Sequence, residues 1–463
     1  MLELGGAGAA LALIGARAAP DAPWQRAAHI VRTVRAPTLP PRRFDITAFG
    51  ARGDGKTKNT AALSRAIEAC HAAGGGRVVV PPGRFLTGAV TLKSRVELHL
   101  TAGATLLFST DPADYPLVPT RWEGIELINY SPLIYAYGAR DIAITGQGTL
   151  DGQASASAWW SWKGPWGGTI DHGWRAGMPD QRPARARLAD MAARGVPVEK
   201  RLFGDGSFLR PAFIQPYRCE NVLIEGVRVR GAPFWQIHPV LCRNVIVRNV
   251  DILGHGPNND GCDPESTQLM LIERCTFDTG DDCIAIKSGR DADGRRVAVP
   301  SRDIVIRDCR MKEGHGGITI GSEISGGVDH VFGERCQMDS PHLDYALRFK
   351  NNAMRGGNLH DFHYRDITVG QVARAAITCD FHYEEAGHGP FHPTLDGVHI
   401  ERMVTTGAAR VLDSQGLPGS PVGDLTLSDC RFDGVRAPSI VSETRRVTLD
   451  RVRINGQPVT SLS

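Results

Sequence analysis

The chain has 463 residues, a net charge of +3 and 22% charged side chains. This near-balance excludes a general nucleic-acid or membrane-surface binder, so affinity for an acidic polymer must come from local placement of charge. The length exceeds one ordinary core, and 53 glycines with few helix-forming runs point to turn-rich β-structure in several domains or one elongated repeat.

The N-terminus reads as an export signal. Ala7 to Ala16 is a small-residue apolar stretch, Ala16-Arg17-Ala18 resembles an A-x-A cleavage site, and Pro20 follows. Glu3 stands where a basic residue is usual. Residues 1–25 are therefore expected to be a signal peptide or disordered, with the product secreted or periplasmic. The apolar run is far shorter than the ~20 residues of a membrane span.

Residues 26–463 read as one domain, opened by a cap over 44–80. Phe44 to Phe49 is a short strand, Asn59-Thr60 can cap a helix to about Ala73, and strand Val78-Val79-Val80 follows Gly74-Gly75-Gly76. Ala62, Leu63, Ala66, Ile67 and Cys70 share one stripe of that helix, suited to covering the open end of a stack. Gly50-Ala-Arg-Gly-Asp-Gly55-Lys56-Thr57 matches the phosphate-loop pattern. That loop needs an open sheet flanked by helices, which the rest of the chain does not supply. A turn between strand and cap helix explains the glycines.

Residues of about 151–210 interrupt the regular pattern. They hold Trp159, Trp160, Trp162, Trp166 and Trp174, five of the eight tryptophans, and then a charged helical stretch around Ala184 to Ala193. This segment either packs on itself or walls a sugar groove, where indole faces stack on pyranose rings.

Beyond it a short motif recurs. Copies include Asn221-Val-Leu-Ile224-Glu-Gly-Val227, Asn244-Val-Ile-Val247-Arg-Asn-Val250, Leu271-Ile272-Glu-Arg-Cys275 and Leu427-Ser-Asp-Cys430. A looser copy, Ile142-Ala-Ile144, lies earlier. The anchors Ile224, Val247, Ile272, Ile306, Gly333, Tyr364, Ile400, Leu427 and Leu449 recur at the ~20–50-residue period of solenoids. Alternation within each copy has period two, so these are half-buried strands. The fold class expected is all-β: a right-handed parallel β-helix with an N-terminal capping helix. Cys275, Cys309, Cys336 and Cys430 share one repeat position with Val227 and Val250, as small interior hydrophobes. Adjacent coils lie ~4.8 Å apart, within disulfide range, so pairing of stacked cysteines stays open. The absence of CxxC argues against zinc.

Four polar clusters fall at nearly one place in successive repeats: Asn258-Asn259-Asp260, Gly280-Asp281-Asp282, Gly314-His315-Gly316 and Arg348-Phe349-Lys350. Overlay puts Asp260 on Asp282, with Arg348 and Lys350 on the strand of the next coil. Three crowded carboxylates raise at least one proton affinity, so one carboxyl can stay protonated beside ionised neighbours. That division suits glycoside hydrolysis. Turn capping or calcium binding is the plainer alternative for the acids, and His315, Arg348 and Lys350 beside them speak against a calcium cage. The two cations either form salt bridges or hold a substrate carboxylate.

In order and spacing these clusters resemble the polygalacturonase family of pectin-degrading enzymes, glycoside hydrolase family 28, and its bacterial members in particular. Phe234-Trp235-Gln-Ile-His238-Pro239, Gly256-Pro257 and Ile286-Lys287-Ser-Gly-Arg290 carry the same likeness, which runs from about Phe44 to Ile454. Asn259 and Phe349 depart from the commoner Thr and Ile. The resemblance implies hydrolysis of α-1,4-galacturonosyl bonds in pectin or polygalacturonate with inversion and without metal or other cofactor, by a monomer. It implies Asp281 as general acid, Asp260 and Asp282 as positioners and bases for water, and His315 as support for the acid. Arg348 and Lys350 would grip the galacturonate carboxylate, with Asn258 and Lys287 as further substrate contacts. One-rung spacing of the carboxyls sits closer to the ~5 Å of retaining enzymes than to the ~6.5–9.5 Å of inverting ones. Exo action is expected if the Trp-rich segment closes one groove end. Rhamnogalacturonan or xylogalacturonan hydrolysis, a pectate lyase and a non-catalytic glycan-binding β-helix are the alternatives.

Overall fold

The fold is described by a computed structural model for residues 22–165, 171–384 and 388–462. Residues 1–21, most of the stretch expected to be an export signal, and Trp166 lie outside the described residues. Three parallel sheets wind around one core. Two are long, with thirteen and fourteen strands, and the third face comprises three-stranded and six-stranded pieces joined by single bridges at Ile237, Val240, Cys262 and Glu265. This is a parallel β-helix.

The anchors read from the sequence form one ladder. Ile144, Ile224, Val247, Ile272, Ile306, Gly333, Tyr364, Ile400, Leu427 and Leu449 are register partners rung by rung in the thirteen-stranded sheet. Nearly all are buried, because alternate side chains enter the shared core. Val250, Cys275, Cys309, Cys336 and Cys430 occupy the next position inward, just past a tight corner. The residue before each takes left-handed backbone: Asn249, Arg274, Asp308, Arg335 and Asp429 have φ between 51° and 55°. Such backbone is costly for side chains with a Cβ. Stacked partners stabilise it here: Arg274 Nε donates to Asn249 Oδ1 at 3.0 Å, Arg335 to Asp308 at 2.8 Å, and Arg402 to Asp366 at 2.7 Å. All ten cysteines are buried free thiols.

The cap differs in detail from its sequence reading. Arg43–Asp45 is a strand, but Ile46–Phe49 closes into a 3-10 turn where a continuous strand was expected. Asp45 causes this by accepting from the Thr47 N–H and hydroxyl. Helix α2, Thr60–Ala72, buries the expected stripe. Asn59 sits before it without a side-chain cap bond; its amide instead binds Arg52, Thr57 and Leu86 backbone. The phosphate-loop look-alike is not the simple turn expected: Asp54–Lys58 is a strand of the fourteen-stranded sheet, with Asp54 accepting from the Lys56 and Thr57 N–H groups and the Thr57 hydroxyl.

The folded chain begins before residue 26. Helix α1, Ala22–Thr33, lies on the outer face of the thirteen-stranded sheet, burying Trp24, Ala27 and Ile30. Trp24 packs edge-on to Phe332 at 5.8 Å, under the Arg365 guanidinium at 3.8 Å.

Candidate active site

The site lies along the third face, where strand ends converge. Cys262 bridges Ile284, Ile284 pairs Ile318, and Ile318 pairs Leu347. Two residues before each pairing, Asp260 falls beside Asp282. His315 falls beside Asp281, with its N–H donating to the Asp281 carbonyl at 3.2 Å. Arg348 and Lys350 come from Leu343–Lys350, beyond the His315 strand, and so sit two coils from Asp282 where the next coil was expected. Their length spans the gap.

One oxygen from each of Asp260, Asp281 and Asp282 lies within 4.8 Å of the others. Asp282 is fully buried: its Oδ1 accepts from Thr319 at 2.9 Å and Arg348 at 3.1 Å, and its Oδ2 from Lys350 at 2.6 Å. Gly316 makes room for this, since a Cβ there would meet Thr319 Oγ1 at 2.2 Å and Asp282 Oδ1 at 2.8 Å. The carboxyl spacing would admit a cation. Both Asp282 oxygens are nevertheless committed to protein donors, so the donor set fits a site that balances its own charge.

Burial penalises each charge, and the neighbours decide the outcome. For Asp282 the burial penalty is outweighed by Lys350 and Arg348, which hold the carboxyl below the usual range. For Asp281 it is outweighed by His315, with Lys350 and Arg348 behind, and this carboxyl is held lower still. His315 Nδ1 lies 3.0 Å from Asp281 Oδ1, and the carboxylate pushes the imidazole up to about 9. Asp260 goes the other way: burial, then the Asp281 charge, raise it well above the ordinary carboxylate range. The resting proton thus sits on His315, while Asp260 is the most basic of the three carboxylates.

The remaining expected residues divide. Asn258 has φ 56°, and its Oδ1 accepts from the buried Arg210 at 2.8 Å, which fixes the turn before Asp260. Lys287 is buried beneath the carboxyl cluster. Its side chain is 3% exposed and its ammonium is held by Glu323 Oε2 at 3.0 Å, beneath Asp260 Oδ2 at 3.7 Å.

Several participants were not read from the sequence. The Tyr383 ring centre lies 5.6 Å from the Arg348 guanidinium and 5.0 Å from the Lys350 ammonium, and Tyr345 lies 5.2 Å from Arg348. No repeat position marks Tyr383, which stands in a loop. Arg210 is wholly buried and donates to the carbonyls of Pro233 and Pro257, pinning the Asn258 turn.

The Trp-rich segment packs on itself and against the loop that carries Asn258. Trp159 packs on Tyr115 at 5.7 Å and Trp162 at 4.8 Å. Trp160 donates to the Ala232 carbonyl and lies against Gly256, two residues before Asn258. Lys163 ends the same turn and feels the charges of Glu123 and Asp281. Helix α3, Arg182–Ala193, adds Arg185, which pairs with Glu123 at 2.6 Å and Glu384 at 3.4 Å. Arg290 and Arg355 join Glu384 at 3.2 and 2.8 Å, completing a charged wall.

The profile described as Glycosyl hydrolases family 28 matches residues 205–436, and one described as Rhamnogalacturonase A/epimerase, pectate lyase-like, matches residues 44–101. The solved structure of a hyperthermoactive exopolygalacturonase from Thermotoga maritima superposes with TM-score 0.90 and 43% identity, covering 94% of this chain and 97% of that one. An exo-poly-alpha-D-galacturonosidase of Dickeya chrysanthemi is 29% identical over 75% of this chain, which spans 58% of that relative's length. A Vitis vinifera protein named "Probable polygalacturonase" is 28% identical over 83% of this chain and 73% of its own.

Proposed function

The chain belongs to glycosyl hydrolases family 28, and we infer that it is a hydrolase of galacturonan acting from a chain end. The observation that carries this is one groove joining three carboxyls, an imidazole and two cations that already bind a carboxylate. Arg348 and Lys350, now engaged by Asp282, are matched to a uronate carboxylate.

Substrate capture then primes the acid. When a galacturonate carboxylate draws Arg348 and Lys350, Asp281 loses part of the support that keeps it ionised. Its proton affinity rises, and the proton on His315 Nδ1 moves to Asp281 and on to the glycosidic oxygen. Asp260 takes a proton from the attacking water, which Asp282 helps to place. The C–O bond breaks, and the water oxygen bonds to the anomeric carbon. We assign inversion: Asp282 is fully buried and Asp260 is 3% exposed, so water reaches the anomeric carbon where neither carboxylate does.

The Trp160–Lys163 turn and the Arg185–Glu123–Glu384 wall support exo action by ending the groove. A single chain supplies every group, so the unit is taken as a monomer. Export fits a polymeric substrate of this kind, together with the apolar stretch of Ala7 to Ala16.

The test is digestion of de-esterified polygalacturonate with EDTA present. Small saturated galacturonides and reducing ends are expected while viscosity falls slowly, with the β-anomer first by proton NMR. A product absorbing in the ultraviolet would mark a lyase, and an early viscosity collapse would remove the exo assignment.

A further inference from the structure

Lys287 is an expensive residue to keep where it stands. Burial of an ammonium is unfavourable unless carboxylates and hydrogen bonds surround it. Here the ammonium is 3.0 Å from Glu323 Oε2, 3.7 Å from Asp260 Oδ2 and 4.0 Å from Asp263 Oδ1, with its Nζ 4.3 Å from the Trp235 ring centre. Three carboxyls share one cation.

They are not equivalent. Asp263 is fully buried, and neither of its oxygens has a hydrogen-bond partner among the described residues. Burial and the Asp260 charge push it well above the carboxylate range. Glu323 is the reverse: Lys287 and Arg290 override its burial and hold it ionised. That leaves Asp260, whose Oδ1 is buried and unpartnered among the described residues and whose Oδ2 points toward the ammonium. The other titratable groups around this pocket are Asp281, Asp282, Lys350 and, below Lys287, His238. Of these, Asp281 and Asp282 favour the protonated form of Asp260, and Lys350 opposes it more weakly than Lys287 does.

We propose that Lys287 is a positioning residue of the hydrolytic step: clamped by Glu323 against Trp235, its ammonium favours the ionised form of Asp260 and aims that carboxyl at the water. This rests on the reading of Asp260 as the base. A base must be unprotonated to act, so activity is lost as pH falls through its pKa. Removing the ammonium moves that acidic limb to higher pH. Removing the Glu323 charge frees the ammonium for Asp260 and moves the limb to lower pH.

The experiment measures kcat, KM and the pH profile of kcat/KM on oligogalacturonate for wild type, Lys287→Met, Glu323→Gln and the double variant, with thermal melts. Lys287→Met is expected to lose about a hundredfold in kcat, the lower range for a general base, with KM within about twofold of wild type. Its acidic limb should shift up, and that of Glu323→Gln down. Where Lys287→Met does not fold, the double variant, which leaves no Glu323 charge unpaired, should still show the upward shift. A wild-type acidic limb in the variants lacking Lys287 overturns the proposal. So does a raised KM at unchanged kcat, the signature of a saccharide contact. Wild-type protein without hydrolytic activity on galacturonan would remove the underlying reading instead, which separates the two failures.

Discussion

Most of the chemistry rests on the proton shared by Asp281 and His315. An imidazole pushed up to about 9 is protonated through neutral pH, so the donor pair stays loaded until the solution turns alkaline. The alkaline limb of kcat/KM should therefore lie above that of an ordinary histidine. His315→Gln leaves the proton to Asp281 alone and should bring that limb down toward the carboxylate range. Asp281→Asn should lower kcat by about a hundredfold or more while saturation behaviour is kept. An unmoved alkaline limb in His315→Gln, or a fully active Asp281→Asn, would break the acid assignment. These residues were legible because their motifs are contiguous and fall at one repeat position. The burial of Lys287 was not legible, because adjacency to Ile286 in sequence says nothing about which groups close over the side chain. Asp263 and Glu323 were invisible, since each looks like an ordinary turn acid until the coils stack.

At the scale of elements, the β-helix was readable and the insertion was not. Every anchor from Ile224 to Leu449 landed in one ladder because register follows directly from an apolar period of two. The insertion has no period, so its tryptophans could be counted but not placed. Their placement has a consequence at Gly256, where an added Cβ would come within 2.3 Å of the Trp160 ring. The backbone there needs no glycine conformation, so the cost falls on the contact. Gly256→Ala should push the Trp160–Lys163 turn away from the Asn258 loop while leaving the coils intact. A thermal transition within a few degrees of wild type is expected, with a several-fold loss in kcat/KM and a faster viscosity drop per reducing end. Retained exo behaviour at full rate would show that this turn does not close the groove.

For the whole molecule, the question is what holds so long a stack together. Each coil touches only its neighbours, so stability accumulates along the axis from repeated interfaces. Stacked cysteines might have been cross-links, since rung spacing permits them. The interior shows a different solution. Cys309 Sγ donates to the Arg307 carbonyl at 3.3 Å and Cys275 Sγ to that of Glu273 at 3.4 Å, so these thiols act as small core residues with weak donors. Burial raises the Cys309 thiol well above its ordinary pKa, which removes the thiolate that oxidation requires. The fold should then be indifferent to redox conditions. Melting in the presence and absence of dithiothreitol should give the same midpoint, and alkylation after unfolding without reductant should modify all ten thiols. A structural disulfide is worth about 2–5 kcal/mol in small domains. A fall of several degrees with reductant, or fewer alkylated thiols, would place a covalent bond where the coils now rely on packing alone.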